Sequence, residues 1–143
     1  MTKIVILGAT GFIGRNLAEY YSKKKNYQVY AVYNIRKPWK NKNIKFIKAD
    51  LTNKSDVDKA LKNKDIVIQA AATTSGSKDI VSKPYIHVTE NAVINSYVLR
   101  SSYENSNKIL VFLSCSIMYQ SSKKPIEENS LNLNKDPYPS YFG

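Results

Sequence analysis

Three glycines stand at a spacing that suits the binding of a phosphate group. The segment GATGFIG places Gly8, Gly11 and Gly14 directly after the apolar run 3–7. A glycine turn between a strand and a helix lets the backbone approach a pyrophosphate, and the N–H groups at the helix start then face the anion. Three of the five glycines in the chain lie in these seven residues, which favours a ligand-binding turn over a purely structural one.

Hydroxyl, thiol and phenol groups near the end of the sequence could also do chemistry. Ser114, Cys115 and Ser116 are consecutive, and Tyr141 lies in the last segment, PYPSYFG. Free tyrosine titrates at about pH 10, so a tyrosine that exchanges protons at neutral pH needs positive charge nearby. A single cysteine rules out an internal disulfide, and with His87 as the only histidine we predict no metal site.

The bulk composition is that of one globular domain without a membrane segment. Of 143 residues, 43% are hydrophobic and 23% are charged, as in an ordinary folded domain. No apolar run approaches the roughly 18 residues that a membrane helix needs, and the first ten residues do not form a secretory signal. We therefore interpret the chain as cytoplasmic, with no membrane partner.

The net charge of +11 comes mostly from lysines that are spread along the chain. There are nineteen lysines and three arginines, and KKK at 23–25 is the only tight cluster. A nucleic-acid-binding surface has clustered basic residues on a recognisable motif. We therefore expect no nucleic-acid partner, while a general attraction for anionic ligands remains.

Strands and helices alternate along the chain and must position these groups. Apolar runs predict strands at 3–7, 28–33, 44–49, 65–72 and 108–114. Helical spacing predicts helices at 12–25 and 87–105, and a cap at Thr52 or Asn53 predicts a short helix after the third strand. Residues 73–84 and the chain from Tyr119 onward are predicted as loops. Such alternation indicates a parallel sheet with helices on both faces.

The two longer predicted helices each carry a set of apolar residues. Ile13, Leu17, Tyr20 and Tyr21 have helical spacing on the first helix, and lysines 23–25 would lie at its negative end. On the long helix, the predicted apolar side carries Val93, Ile94, Tyr97 and Val98.

The glycine turn resembles that of a known family. GATGFIG is similar to the TGxxGxxG segment of the extended short-chain dehydrogenases, which include nucleotide-sugar epimerases, dehydratases and reductases. Asp50-Leu51, Ala70-Ala71-Ala72, Asn91 and FLSCSIMYQ resemble further family segments in the same order. Within the family, AAATTSG and FLSCSIMY look most like GDP-fucose synthases.

This resemblance implies both a fold and a function. The fold is a doubly wound α/β Rossmann sheet with strand order 3-2-1-4-5, in which residues 1–143 form the NAD(P)-binding domain. The later strands and the substrate domain would be missing, so the domain would be incomplete at its C-terminus and inactive alone. The whole protein would be an NAD(P)-dependent nucleotide-sugar epimerase, reductase or dehydratase that moves hydride at a sugar carbon. The alternative is a non-catalytic NADP-binding regulatory or scaffold protein.

The resemblance also implies partners, which are a nucleotide-sugar substrate and a second copy of the chain. Without its outer neighbour, the fifth strand would become an exposed apolar edge, which invites self-association. The long helix packs beside its counterpart in family dimers. We therefore expect Val93, Ile94, Tyr97 or their neighbours to be uncovered in the isolated chain.

Cofactor-binding residues follow from the same match. They are Gly8, Thr10, Gly11, Phe12, Ile13, Gly14, Asn34, Arg36, Asp50, Leu51, Ala70, Ala71, Ala72, Asn91 and Ser114. NAD enzymes usually end the second strand with an acidic residue, but here Tyr33 and Asn34 stand at that place and Arg36 follows. Arginine binds phosphate oxygens with two hydrogen bonds, so we predict NADP, with NAD possible, unless Arg36 is only a solvated loop residue.

In this family the acid/base is a tyrosine followed four residues later by a lysine. Tyr138 would need a lysine where Phe142 stands, whereas the lysine for Tyr141 would come after Gly143. Tyr141 is therefore the catalytic candidate, the alternative being an ordinary aromatic in a Pro/Tyr-rich turn. The family's hydroxyl residue falls on Cys115. Either Ser116 or Ser114 takes that role, or Cys115 is itself an acid/base or a buried, inert thiol.

Overall fold

The structure, a computed structural model, describes residues 1–143 except 75, 84, 116–117, 133 and 136–143, with backbone only at 77, 80 and 81. The strands are β1 Thr2–Leu7, β2 Tyr27–Tyr33, β3 Ile44–Lys48, β4 Ile66–Gln69 and β5 Ile109–Phe112. The helices are α1 Phe12–Ser22, α2 Lys54–Leu61, α3 Ser77–Ser82 and α4 Tyr85–Glu104, followed by a 3-10 helix at Glu128–Ser130.

The five strands form one parallel sheet in the order β3-β2-β1-β4-β5, which confirms the predicted topology. The central strand, β1, pairs with both β2 and β4, so that Ile4 lies between Val29 and Ile66. The apolar, β-branched run of β1 is buried, as is typical of a parallel strand covered on both faces. The reversal of strand order between β1 and β4 sets the position of the site described below.

Helices cover both faces of the sheet, as predicted. Side chains alternate across β1, because successive residues of a strand point to opposite faces. Val5 and Leu7 pack into a core with α2 and α4, whereas Ile4 and Ile6 pack into a second core with Ala18 of α1. The single domain is thus built around two cores that share the sheet.

The buried side of α1 contains only some of its regularly spaced apolar residues. Gly14 and Ala18 are buried and Leu17 and Tyr21 pack partly against the core, but Ile13 and Tyr20 are more than half exposed. Gly14 approaches the backbone directly after β1, and this contact determines which side of α1 faces the sheet. The spacing of apolar residues does not show such a contact. The helix also ends at Ser22, so lysines 23–25 follow its last turn and do not lie within it.

The long helix α4 begins two residues earlier than predicted. Ile94 and Val98 are buried and Tyr97 packs against the same core, but Val93 is 39% exposed. Of the residues that were expected to be uncovered, Val93 is exposed, whereas Ile94 is buried because it packs onto the sheet of its own chain. Leu99 and Tyr103 are instead the exposed apolar residues toward the end of this helix.

Two short helices lie in segments that were predicted to be loops. The six-residue α3 begins after Gly76, and the 3-10 helix spans Glu128–Ser130. Neither is long enough to show a hydrophobic period, so sequence pattern cannot distinguish them from turns.

At the amino end of the sheet, Asp65 ties three strands together. Lys108 Nζ lies 2.8 Å from one carboxylate oxygen, and the backbone N–H of Lys3 donates to the other at 2.8 Å. These two hydrogen bonds hold the pKa of Asp65 below its usual value, and the bond from Lys108 has the larger effect.

In the described part of the chain, no helix is both long and apolar enough to cross a membrane.

Candidate functional site

An open cleft of about 430 Å³ lies at the carboxyl ends of β1, β2, β3 and β4. In an open parallel sheet, ligands bind outside the carboxyl ends of the strands, where the strand order reverses. Nine of the predicted cofactor-binding residues line this one cleft: Gly8, Thr10, Gly11, Asn34, Asp50, Leu51, Ala70, Ala71 and Ala72. The fold thus brings together residues that lie up to 64 positions apart in the sequence, between Gly8 and Ala72.

The floor of the cleft is the glycine turn, and two of its glycines are required by the fold itself. Gly8 has φ +70°, and a Cβ there would lie 2.6 Å from Ala71 Cα. A Cβ on Gly14 would lie 2.3 Å from the carbonyl oxygen of Gly8. Both contacts are far shorter than real Cβ contacts, so these residues allow β1, α1 and the end of β4 to approach one another.

Gly11 is different, because its open side faces the cleft. A Cβ there would meet only Gly8 O, at 3.3 Å. Gly11 caps α1 without a side-chain hydrogen bond, and the first turn of the helix has no acidic residue. The first N–H groups of a helix lack partners within it and attract negative charge. The residues present therefore fit a bound phosphate group at this point.

On the β2–β3 side, the cleft ends in a loop braced by hydrogen bonds. Asp50 Oδ1 accepts from the backbone N–H and the hydroxyl of Thr52, at 2.9 and 2.7 Å. Arg36 is exposed and does not line the cleft, but its Nη1 donates to Thr10 O at 3.2 Å. The guanidinium group therefore lies beside the glycine turn, within reach of the cleft mouth.

The loop that carries Arg36 is packed against α1. Trp39 lies edge-on to Phe46 with ring centroids 5.1 Å apart, and the Arg15 guanidinium is 4.8 Å from the Trp39 ring centroid. These contacts hold the loop close to the glycine turn.

On the β4 side, the predicted residue Asn91 holds the cleft wall and does not line the cleft. Its Oδ1 accepts from Thr73 N at 2.8 Å, and its Nδ2 donates to Thr73 O at 3.0 Å. Gln69, buried at the end of β4, bonds similarly to both backbone groups of Ala71 and to Asn95. Two amide side chains thus fix the segment 70–73.

The remaining predicted residues lie away from the cleft or outside the described residues. Phe12 and Ile13 are exposed in the first turn of α1. Ser114 and Cys115 are exposed beyond the end of β5, so the interpretation of Cys115 as a buried thiol is wrong. Ser116 and Tyr141 are not described by the structure, and their roles stay predictions.

Eight of the lining residues were not predicted from the sequence, and two of these, Thr73 and Glu90, contact each other. The hydroxyl of Thr73 donates to Glu90 Oε2 at 2.6 Å across the β4 end of the cleft. They are 17 positions apart, in a loop and on an exposed helix face. No local pattern marks such a pair, because only the packing of α4 beside β4 brings its members together.

Comparison with known proteins identifies the family of this chain. Residues 4–141 match the NAD dependent epimerase/dehydratase family. The chain belongs to this family. The chain is also similar to the curated protein dTDP-D-glucose 4,6-dehydratase of Dictyostelium discoideum, with 30% identity over 145 residues covering 92% of this chain. That match covers 32% of the relative, so the chain spans about a third of its length.

Solved structures agree with the fold. An epimerase from Methanothermobacter thermautotrophicus superposes with a TM-score of 0.80 and 21% identity, over 98% of this chain and 43% of the other. A mutant uronate dehydrogenase from Agrobacterium tumefaciens, complexed with NAD, has a TM-score of 0.71 and 15% identity, over 85% of this chain and 44% of the other. The resemblance to GDP-fucose synthases and the preference for NADP stay predictions.

Proposed function

We propose that this epimerase/dehydratase-family chain is the dinucleotide-binding part of an enzyme that moves hydride at a carbon of a nucleotide sugar. The observation that carries the proposal is the single cleft in which nine predicted residues meet at the uncapped start of α1. The curated relative, a nucleotide-sugar dehydratase by name, supports the substrate class. The proposed enzyme would catalyse an epimerisation, a reduction or a dehydration.

The lining residues suit the parts of a dinucleotide in order. Gly11 and the first turn of α1 would receive the pyrophosphate. Asn34 and the pair Asp50-Leu51 would hold the adenosine half, on the β2–β3 side. The segment Ala70–Ala72 would hold the nicotinamide half, whose ring supplies the hydride chemistry when bound. Tyr141 would exchange a proton with a sugar hydroxyl, and Ser114, Cys115 or Ser116 would hold the same oxygen.

A binding titration tests the proposal directly. Trp39 is the only tryptophan of the chain, and it lies in the loop beside the glycine turn, so its fluorescence should change when the cleft is filled. We expect saturable binding of NAD or NADP, confirmed by calorimetry. Absence of binding to either cofactor, in both oxidation states, would contradict the proposed function.

Arg36→Ala should weaken the binding of NADP about tenfold or more and leave that of NAD nearly unchanged. A hydrogen bond to a charged group contributes about 1.5–3 kcal/mol, and the 2′-phosphate is the group by which the two cofactors differ. Arg100→Ala is the matched control, since Arg100 is an exposed arginine paired with Glu104 on α4. An unchanged ratio of NADP to NAD affinity in Arg36→Ala would show that this side chain only lies in solvent.

We also propose that the isolated chain self-associates through β5. This strand forms one edge of the described sheet, and Ile109, Val111 and Phe112 are 40–51% exposed. An apolar edge with unpaired backbone groups invites pairing with another chain, and a lysine on such an edge prevents it. Val111→Lys should therefore sediment as a monomer at micromolar concentrations at which the wild type forms dimers or larger species.

Ile126→Lys provides the matched control for the edge variant. Ile126 is 45% exposed in the segment after β5, so the same change of charge is made away from the edge. This variant should associate like the wild type. A monomeric wild type, or equal association of all three proteins, would contradict the role of β5.

A further inference from the structure

A second carboxylate lines the cleft besides that of Asp50, and it belongs to α4. Glu90 lines the cleft from the first half of α4, and its Oε2 accepts the 2.6 Å hydrogen bond from Thr73. Within the described part of the chain, no cation lies at ion-pair distance from this carboxylate. Glu90 is exposed to the solvent of the open cleft, where a bound ligand would approach its carboxylate.

The order of the strand ends shows which part of a dinucleotide this carboxylate would meet. A bound pyrophosphate would lie at the glycine turn after β1, and the ribose of the adenosine half would lie at the end of β2. The other half must therefore extend toward the end of β4, where Thr73 and Glu90 are. That half contains a ribose and the nicotinamide ring.

The charge of the ring depends on its oxidation state. The oxidised nicotinamide carries a positive charge and the reduced dihydronicotinamide is neutral, while all other charges of the cofactor are equal in the two forms. A nearby carboxylate attracts the first ring and is indifferent to the second. It therefore changes the ratio of the two affinities, which a purely structural side chain would leave unchanged.

We propose that Glu90 is a specificity-determining residue that makes the cleft favour the oxidised, cationic form of the nicotinamide cofactor. Thr73 is its positioning residue, because its hydroxyl holds the carboxylate at the β4 end of the cleft. This inference rests on the proposed function, since it requires that the cleft bind a nicotinamide dinucleotide.

Glu90→Gln tests the inference, because the amide oxygen can still accept from Thr73 while the charge is lost. Affinities for the oxidised and the reduced cofactor are measured by calorimetry. Glu90→Gln should weaken the binding of the oxidised cofactor about fivefold relative to that of the reduced cofactor, which is the effect of one attraction between unit charges in water. Glu104→Gln is the matched control: it makes the same change on the same helix, about 21 Å further along its axis at 1.5 Å per residue.

Thr73→Val separates the charge from the hydrogen bond. It removes the hydroxyl but keeps the carboxylate. The ratio of the affinities for the oxidised and the reduced cofactor should therefore change less in Thr73→Val than in Glu90→Gln. If Glu90 only ties the loop to α4, Thr73→Val should lower both affinities equally and Glu90→Gln should change neither. That pattern, or a fivefold change also in Glu104→Gln, would overturn the inference while dinucleotide binding stands. A wild type that binds neither form would instead overturn the proposed function, and this inference with it.

Discussion

Gly11→Ala is expected to fold normally and to bind NAD(P) about a hundredfold more weakly than the wild type. The backbone at Gly11 is extended, with φ −79° and ψ 170°, and any residue can adopt it. A methyl group there would need only a small shift of Gly8 O, from a contact of 3.3 Å. It would, however, occupy the space through which the helix start approaches the pyrophosphate. Loss of two charge-assisted hydrogen bonds of about 1.5 kcal/mol each corresponds to about a hundredfold in affinity.

Gly14→Ala is the contrasting variant. Its Cβ would lie 2.3 Å from Gly8 O and 2.9 Å from Ala9 Cα, both backbone atoms that cannot move aside cheaply. We expect a loss of at least about 3 kcal/mol in the free energy of unfolding, measured with denaturant. Gly11→Ala should lose less than about 1 kcal/mol in the same assay. Unchanged cofactor affinity in a folded Gly11→Ala protein would show that the turn is structural only.

Tyr141→Phe is expected to lower turnover by about two to four orders of magnitude in the natural protein, at whatever length its gene encodes. The substitution removes only the exchangeable proton, and general acid/base catalysis contributes about 10²–10⁴-fold. Cofactor affinity should be nearly unchanged, because only one hydroxyl is removed and the cleft-lining residues that the structure describes are all kept. Turnover and affinity are therefore measured on the same preparation, with a nucleotide sugar as substrate.

Tyr138→Phe is the matched control for this variant, since it makes the same change three positions away and should keep most of the activity. Cys115→Ser is the companion test. If Cys115 only takes the place of the family's hydroxyl residue, turnover should be kept or raised. If the thiol acts as an acid/base, turnover should be lost. Full activity in Tyr141→Phe would mean that Tyr138 is the acid/base, or that neither tyrosine is. An inactive wild type that binds NADP tightly would favour the non-catalytic, regulatory alternative.

Local pattern was sufficient for the parts of the fold that depend on nearest neighbours. Short apolar runs marked all five strands, because a strand buried in a parallel sheet is apolar along its length. The spacing of Gly8, Gly11 and Gly14 after the first strand predicted the glycine turn. It did not separate their roles, because the clashes that make Gly8 and Gly14 necessary are with backbone atoms of other segments.

What the sequence by itself determined was the five strands of the described sheet, the three longer helices and, through the resemblance, nine of the cleft-lining residues. Only the tertiary structure decided which face of α1 is buried, that Asn91 holds Thr73 from outside the cleft lining, and that Thr73 meets Glu90 within it. The physical reason is the distance along the sequence over which each interaction acts. Hydrophobic period and turn chemistry act over a few residues, whereas the electrostatics of the cleft depend on groups that approach one another only when α4 packs beside the end of β4.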